Sequence, residues 1–190
     1  MSPDAHLVAV ERAGELQLPD TAQSLTVRWH KGTQEGITFG QQIQHALEQS
    51  PTTLLLDEVR ADEATALQPL LTEGVVPRMI WCFRGGALPK RIRSALSQVA
   101  RMAYPAQPES AVDALYERLP FVIILRRRRG FLQVHSIVEW QKTASGDVNW
   151  VTLASVVDGE ATFSGARPKR ALDLPEDFWQ ATAANALCNL

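Results

Sequence analysis

Leu54-Leu55-Leu56-Asp57-Glu58, set between Ser50-Pro51 and Arg60, is the stretch on which the fold turns. Residues 52–57 form a short apolar run closed by an acid, the pattern of a strand buried on both faces of a parallel sheet. Asp57 and Glu58 then stand at the carboxyl edge of that sheet, where phosphate-hydrolysing α/β folds hold nucleotide, magnesium and attacking water. A plainer account of the same pattern has the two acids entering solvent or capping the helix that starts at Asp62.

On either side, short apolar runs alternate with helical periodicities, as in an α/β protein. Upstream, residues 6–11 read as a strand and 14–21 as a connection, and Leu25, Val27 and Trp29 alternate with polar residues as a half-buried strand does. Lys31 to Gly36 is polar and loop-like. Thr38 caps a helix with Phe39, Ile43, Ala46 and Leu47 on one face. Downstream, Ala64, Leu67, Leu70 and Leu71 predict the inner face of a helix over 62–72, which Pro69 must kink or end. A strand is expected over 75–83, broken by Pro77, and after Gly85-Gly86 a helix with Pro89 in its first turn and Leu88, Ile92, Ala95, Leu96, Val99 and Met102 as its apolar stripe. A short helix through Ala111, Ala114, Leu115 and Leu119 follows. Residues 121–125 and 131–140 read as a hairpin whose tip carries Arg126, Arg127, Arg128 and Arg129. Residues 148–157 make another strand, 163–170 a loop, and 174–187 a last helix.

The chain has 190 residues with 19 Lys+Arg against 21 Asp+Glu, a formal charge of −2, and 45% hydrophobic residues. That suits one globular domain over 1–190, and a chain of this length buries ~70% of its unfolded surface. It excludes disordered, collagen-like and polybasic classes. Cys82 and Cys188 supply neither a disulfide framework nor a zinc ligand set, and they point to a reducing, cytoplasmic setting. The apolar run 119–125 is far short of the ~20 residues of a membrane-spanning helix.

Specific chemistry is narrowed further by missing motifs. No G-x-x-x-x-G-K-[ST] phosphate cradle occurs, since none of Lys31, Lys90, Lys142 and Lys169 follows glycine. His6, His30, His45 and His135 show no metal-ligand spacing, and no G-x-S-x-G elbow is present. The arginine run suits a nucleic-acid backbone or an acidic partner, with a solvated turn as the bland reading. The net charge disfavours nucleic acid.

Three stretches together carry a resemblance: Val10-Glu11-Arg12-Ala13-Gly14-Glu15-Leu16-Gln17-Leu18-Pro19, the helix start Gly36-Ile37-Thr38, and Leu55-Leu56-Asp57-Glu58-Val59-Arg60-Ala61-Asp62-Glu63-Ala64. Their order and spacing resemble the secretion traffic ATPases of type II/type IV secretion, especially those of Tad pili and conjugation. That family has an I-E-D-x-x-E-L-Q-L stretch and a V-G-E-V-R-G-x-E-A Walker B segment. The hairpin over 123–139 is similar to its late strand pair. The resemblance covers residues 6–140, leaving 141–190 as an extension. It implies an incomplete RecA-like α/β sheet, mostly parallel, with flanking helices and a late antiparallel hairpin.

The resemblance matches Glu11 to the first acid of the Asp box, Glu58 to the Walker B glutamate that polarises water, and Arg60 and Glu63 to the arginine and acid that follow it. It also marks departures. Arg12 stands where the second Asp-box acid belongs, Val75 and Phe83 stand at the His-box places, and the sequence starts past the family's phosphate loop, so Walker A has no counterpart. The expectation is a pseudo-ATPase acting as a structural or regulatory subunit beside an intact secretion ATPase or another secretion component. It would have no cofactor and no catalytic residue in action. A second expectation is half of a split ATPase, with ATP and magnesium bound only when a partner supplies the phosphate loop. A third is a module that takes nucleic acid or an acidic partner on the arginine tip.

Overall fold

The computed structural model describes residues 6–172 apart from 73, 87, 129 and 158. The chain divides after Leu119 into two compact units. The RecA-like stretch expected over 6–140 runs across that boundary.

In the first unit, β1 (Leu7–Glu11), β2 (Gln23–Thr26), β3 (Thr53–Val59) and β4 (Arg78–Phe83) form a parallel sheet in the order β2-β1-β3-β4. β1 is buried at every position, because it lies inside the sheet with strands on both sides. In β3, Leu54 and Leu56 are fully buried while Leu55 is intermediate, so the expected burial on both faces holds fully on one of them. β1 and β2 are joined without a helix by residues 12–22. Parallel neighbours need a crossover of about this length.

The helix α1 (Phe39–Glu48) begins at a capping box in which the Gln41 amide donates to Thr38 Oγ1 at 3.2 Å and the Thr38 amide to Gln41 Oε1 at 2.8 Å. Gly40 lets it approach the following segment closely, since a Cβ there would lie 3.1 Å from the Ala66 Cβ. Buried Gln42 donates through Nε2 to the Thr26 carbonyl at 2.6 Å, fastening α1 to the end of β2.

Three expectations shift. The strand over 25–30 stops at Thr26, and beyond it only Arg28 bridges Ile37, leaving Trp29 74% exposed. Gly36 permits that bridge, as a Cβ there would sit 2.8 Å from the Arg28 carbonyl. The helix over 62–72 is a 3-10 helix (Ala61–Leu67) followed by α2 (Gln68–Thr72), with Pro69 in the first turn of α2, where its missing N–H costs nothing. Ala64, Leu67, Leu70 and Leu71 are all buried as expected. The stripe of α3 (Pro89–Ala103) is narrower than predicted, with Ile92 and Val99 buried and Met102 39% exposed. It packs on α4 (Pro108–Arg118), where Ser97 Oγ and Tyr116 Oη share a buried hydrogen bond of 2.8 Å.

The second unit is an antiparallel sheet, β5 (Phe121–Arg128), β6 (Phe131–Lys142), β7 (Val148–Val157) and β8 (Glu160–Phe163), in chain order. The hairpin is therefore longer than predicted. Arg126, Arg127 and Arg128 pair with Gln133, Leu132 and Phe131 inside the ladder, and Gly130 turns the chain at φ 89°. Arg129 lies outside the described residues, as does the helix expected over 174–187. Trp140 and Trp150, opposite each other on β6 and β7, meet edge to face at 4.6 Å. Glu139 is fully buried and accepts from the backbone amides of Lys169 at 2.8 Å and Arg170 at 3.0 Å, so it fastens the chain after β8 to β6.

Candidate functional site

The carboxyl ends of β1 and β3 lie side by side and bring the resemblance-marked residues of the first unit together. Glu11 closes β1 and is 1% exposed. Its Oε2 accepts from the Leu16 amide at 2.8 Å and its Oε1 from Ser24 Oγ at 2.5 Å, so one oxygen holds the 12–22 crossover and the other holds β2. A carboxylate engaged in this way is a fastening for the β1–β2 connection, and this explains why burying it is tolerated.

Arg12, the next residue, is the hub of the site. Its Nη2 donates to Glu63 Oε2 at 2.5 Å, its Nε to the Glu58 carbonyl at 3.1 Å, and its guanidinium carbon lies 4.4 Å from the centre of the Phe39 ring. The side chain is 11% exposed. A planar guanidinium suits this arrangement, since it has donors for two acceptors and a face for the ring. The Arg12 amide also approaches Asp57 Oδ2 at 3.4 Å.

Glu58 takes φ 49°, a left-handed conformation that a non-glycine residue adopts at a cost, and the β3–β4 register shifts between Leu56 and Val59. The kink leaves the Glu58 carbonyl beneath Arg12, while its carboxylate meets Arg84, 88% exposed, at 3.4 Å. Glu63 breaks the helical φ/ψ of its segment and turns to Arg12.

Arg60 makes an ion pair of its own beside this cluster. It grips Asp62 through Nε at 3.1 Å and Nη2 at 2.7 Å in solvent, and that contact holds its guanidinium above the ordinary value. Cys82 on β4 is exposed, yet its thiol is pushed up first by partial burial and then by Asp57, with a backbone hydrogen bond at Glu58 pulling the other way. An open groove of about 530 Å³ runs between the start of α1 and the 3-10 helix, and its walls include Thr38, Gln41, Asp62 and Glu63 but no lysine or arginine.

Of the candidates, the Glu58 carbonyl and the Glu63 carboxylate are thus joined through Arg12, Glu11 is adjacent but turned to Leu16 and Ser24, and Arg60 is paired with Asp62. Arg126, Arg127 and Arg128 belong to the second unit. The sequence marked Arg12 as a departure but not as the hub, because Glu63 is 51 positions away and Phe39 has no charge to signal the pairing.

No family model and no curated protein matches the chain. Among solved structures, the fold is similar to that of the VirB11 ATPase from the Brucella suis type IV secretion system, in complex with sulphate, at a TM-score of 0.52 and 18% identity. The similarity covers 72% of this chain and 41% of that one, so this chain spans less than half of that protein. The likeness is one of fold: a mixed α/β structure with a parallel four-stranded sheet, flanking helices and an antiparallel sheet, in keeping with a partial RecA-like core. Among the described residues, no helix is long and apolar enough to cross a membrane.

Proposed function

We propose that this chain is a non-catalytic relative of the secretion and pilus motor ATPases that serves as a structural or regulatory subunit for a protein partner of such a system. The observation that carries the reading is Arg12. A hydrolytic site needs oxygen donors for magnesium and a carboxylate poised over water. Here a guanidinium lies between the Glu58 backbone carbonyl and the Glu63 carboxylate, the Glu58 carboxylate is turned to Arg84, and the Glu11 oxygens are already spent on Leu16 and Ser24. These groups do not fit a magnesium ion, and the groove beside them has Asp62 and Glu63 on its walls, each already paired with an arginine, with no lysine or arginine among its lining residues to take a triphosphate. The fold likeness to a type IV secretion ATPase supports the choice of system. Titration calorimetry with ATP and magnesium tests the proposal. No heat of binding is expected, and micromolar affinity would overturn it.

One observation favours a second reading, in which a partner's phosphate loop completes the site. β4 is an edge strand of the parallel sheet, with Ile80 51% exposed, and the Glu58 carboxylate beside it meets well-exposed Arg84 at 3.4 Å. That reading predicts hydrolysis on mixing with a partner and its loss in Glu58→Gln. Unchanged background hydrolysis in the mixture removes it.

A further inference from the structure

We infer that the edge of β5 is a docking site for an extended segment of a partner protein in which acidic and apolar residues alternate. The inference goes beyond the ATPase-like reading and stands on the second unit alone. Among the described residues β5 pairs only with β6, so its outer edge presents a row of backbone donors and acceptors over eight residues, about 26 Å. The other outer strands, β2 and β8, have four residues each, and β4 has six. Short edges resist strand addition, but β5 is long.

The side chains along this edge are those of an interface. Ile123 is 60% and Leu125 49% exposed, and both stand on one face, whereas Ile124 on the other face is 8% exposed. Arg126 shares the face of Ile124, Arg127 lies beyond Leu125 on the other face, and β5 carries no acid of its own. The extra residue of the bulge at Ile124/Leu125 lies in β6, so the alternation along β5 is unbroken. A strand laid beside β5 with apolar residues on one face and acids on the other therefore meets Ile123 and Leu125 with the first set and Arg126 with the second. Main-chain pairing supplies affinity in this mode and the alternate side chains supply specificity.

Other occupants fit less well. A second copy of β5 brings no carboxylate to the arginines. A phosphate backbone leaves the exposed aliphatics without a role. A membrane would take the end of the hairpin, where Phe131 is 73% and Leu132 63% exposed, but not Ile123 in mid-strand.

The probe is a fluorescent ten-residue peptide alternating valine and aspartate, titrated into the full chain at low salt. Binding at roughly 10–100 µM is expected, with about tenfold weakening in Arg126→Glu and in Ile123→Thr/Leu125→Thr. The same peptide N-methylated at alternate amides should fail, and amide exchange should slow in β5 but not in β8. Circular dichroism confirms that each variant is folded, and the threonine replacements keep β-branched residues in the strand. The inference is overturned if the peptide does not bind at about 1 mM, if N-methylation or the variants change nothing, or if oligothymidine or phosphatidylserine vesicles bind more tightly than the peptide. A dimer in sedimentation that Leu125→Thr dissolves would overturn it in favour of self-pairing.

Discussion

Replacing Arg12 by alanine tests the site where its parts depend on one another most. The change removes the Glu63 contact of 2.5 Å, leaves the Glu58 carbonyl without its donor, and uncovers the Phe39 ring. The ion pair is counted low because the Glu63 side chain is 36% exposed, giving ~1 kcal/mol. The orphaned carbonyl adds ~1 kcal/mol and the lost cation–ring contact ~1 kcal/mol. A loss of about 3 kcal/mol follows, equivalent to about 10 °C in the melting temperature of a unit of this size. Urea unfolding of wild type, Arg12→Ala, Glu63→Ala and the double variant gives the pair term directly. The coupling should be about 1 kcal/mol and should shrink in high salt. A coupling of zero, or an Arg12→Ala loss below about 0.5 kcal/mol, would refute the description of Arg12 as the hub.

The left-handed Glu58 predicts opposite responses to two substitutions. Glu58→Gly should keep stability or raise it by up to about 1 kcal/mol, whereas Glu58→Val, β-branched at φ 49°, should lower it by about 2 kcal/mol; equal effects would contradict the strain. The raised Cys82 thiol should react with iodoacetamide more slowly than an unfolded cysteine at mildly alkaline pH, measured in a Cys188→Ser background. The same shift fixes a pH dependence. Its contribution to stability is full below the ordinary thiol range and is lost as pH rises through the raised value, because the unfolded chain gives up its proton first. A Cys82→Ala variant should show less loss of stability in that alkaline window. Glu139→Gln should cost about 3 kcal/mol in thermal unfolding, since the new NH2 turns a donor toward one of the Lys169 and Arg170 amides while the charge that strengthens both bonds is lost.

Much of the first unit was legible because its signals are local. The apolar run of β3, the Thr38 cap and the α1 stripe each specify a short element, and Pro69 marked a break that the 3-10 helix and α2 display. After residue 26 the alternation continues through Trp29 while the backbone leaves the sheet, so the pattern alone overextends β2. The arginine run was assigned to a turn on composition, yet its cross-strand partners Gln133, Leu132 and Phe131 hold it in the ladder. In the candidate site, the sequence marked Glu11, Glu58, Arg60 and Glu63 by position along the chain. It could not show that Glu11 faces Leu16 and Ser24, that Arg60 faces Asp62, or that Arg12 reaches Glu63, because those outcomes depend on packing between distant segments.

Magnesium-dependent phosphate release from ATP by the purified chain, compared with its Glu58→Gln variant, tests the central claim most directly. With Arg12 seated between the Glu58 carbonyl and the Glu63 carboxylate, both proteins should release phosphate at the background rate of buffer alone. Release by the wild type that requires magnesium and disappears in Glu58→Gln would contradict the account.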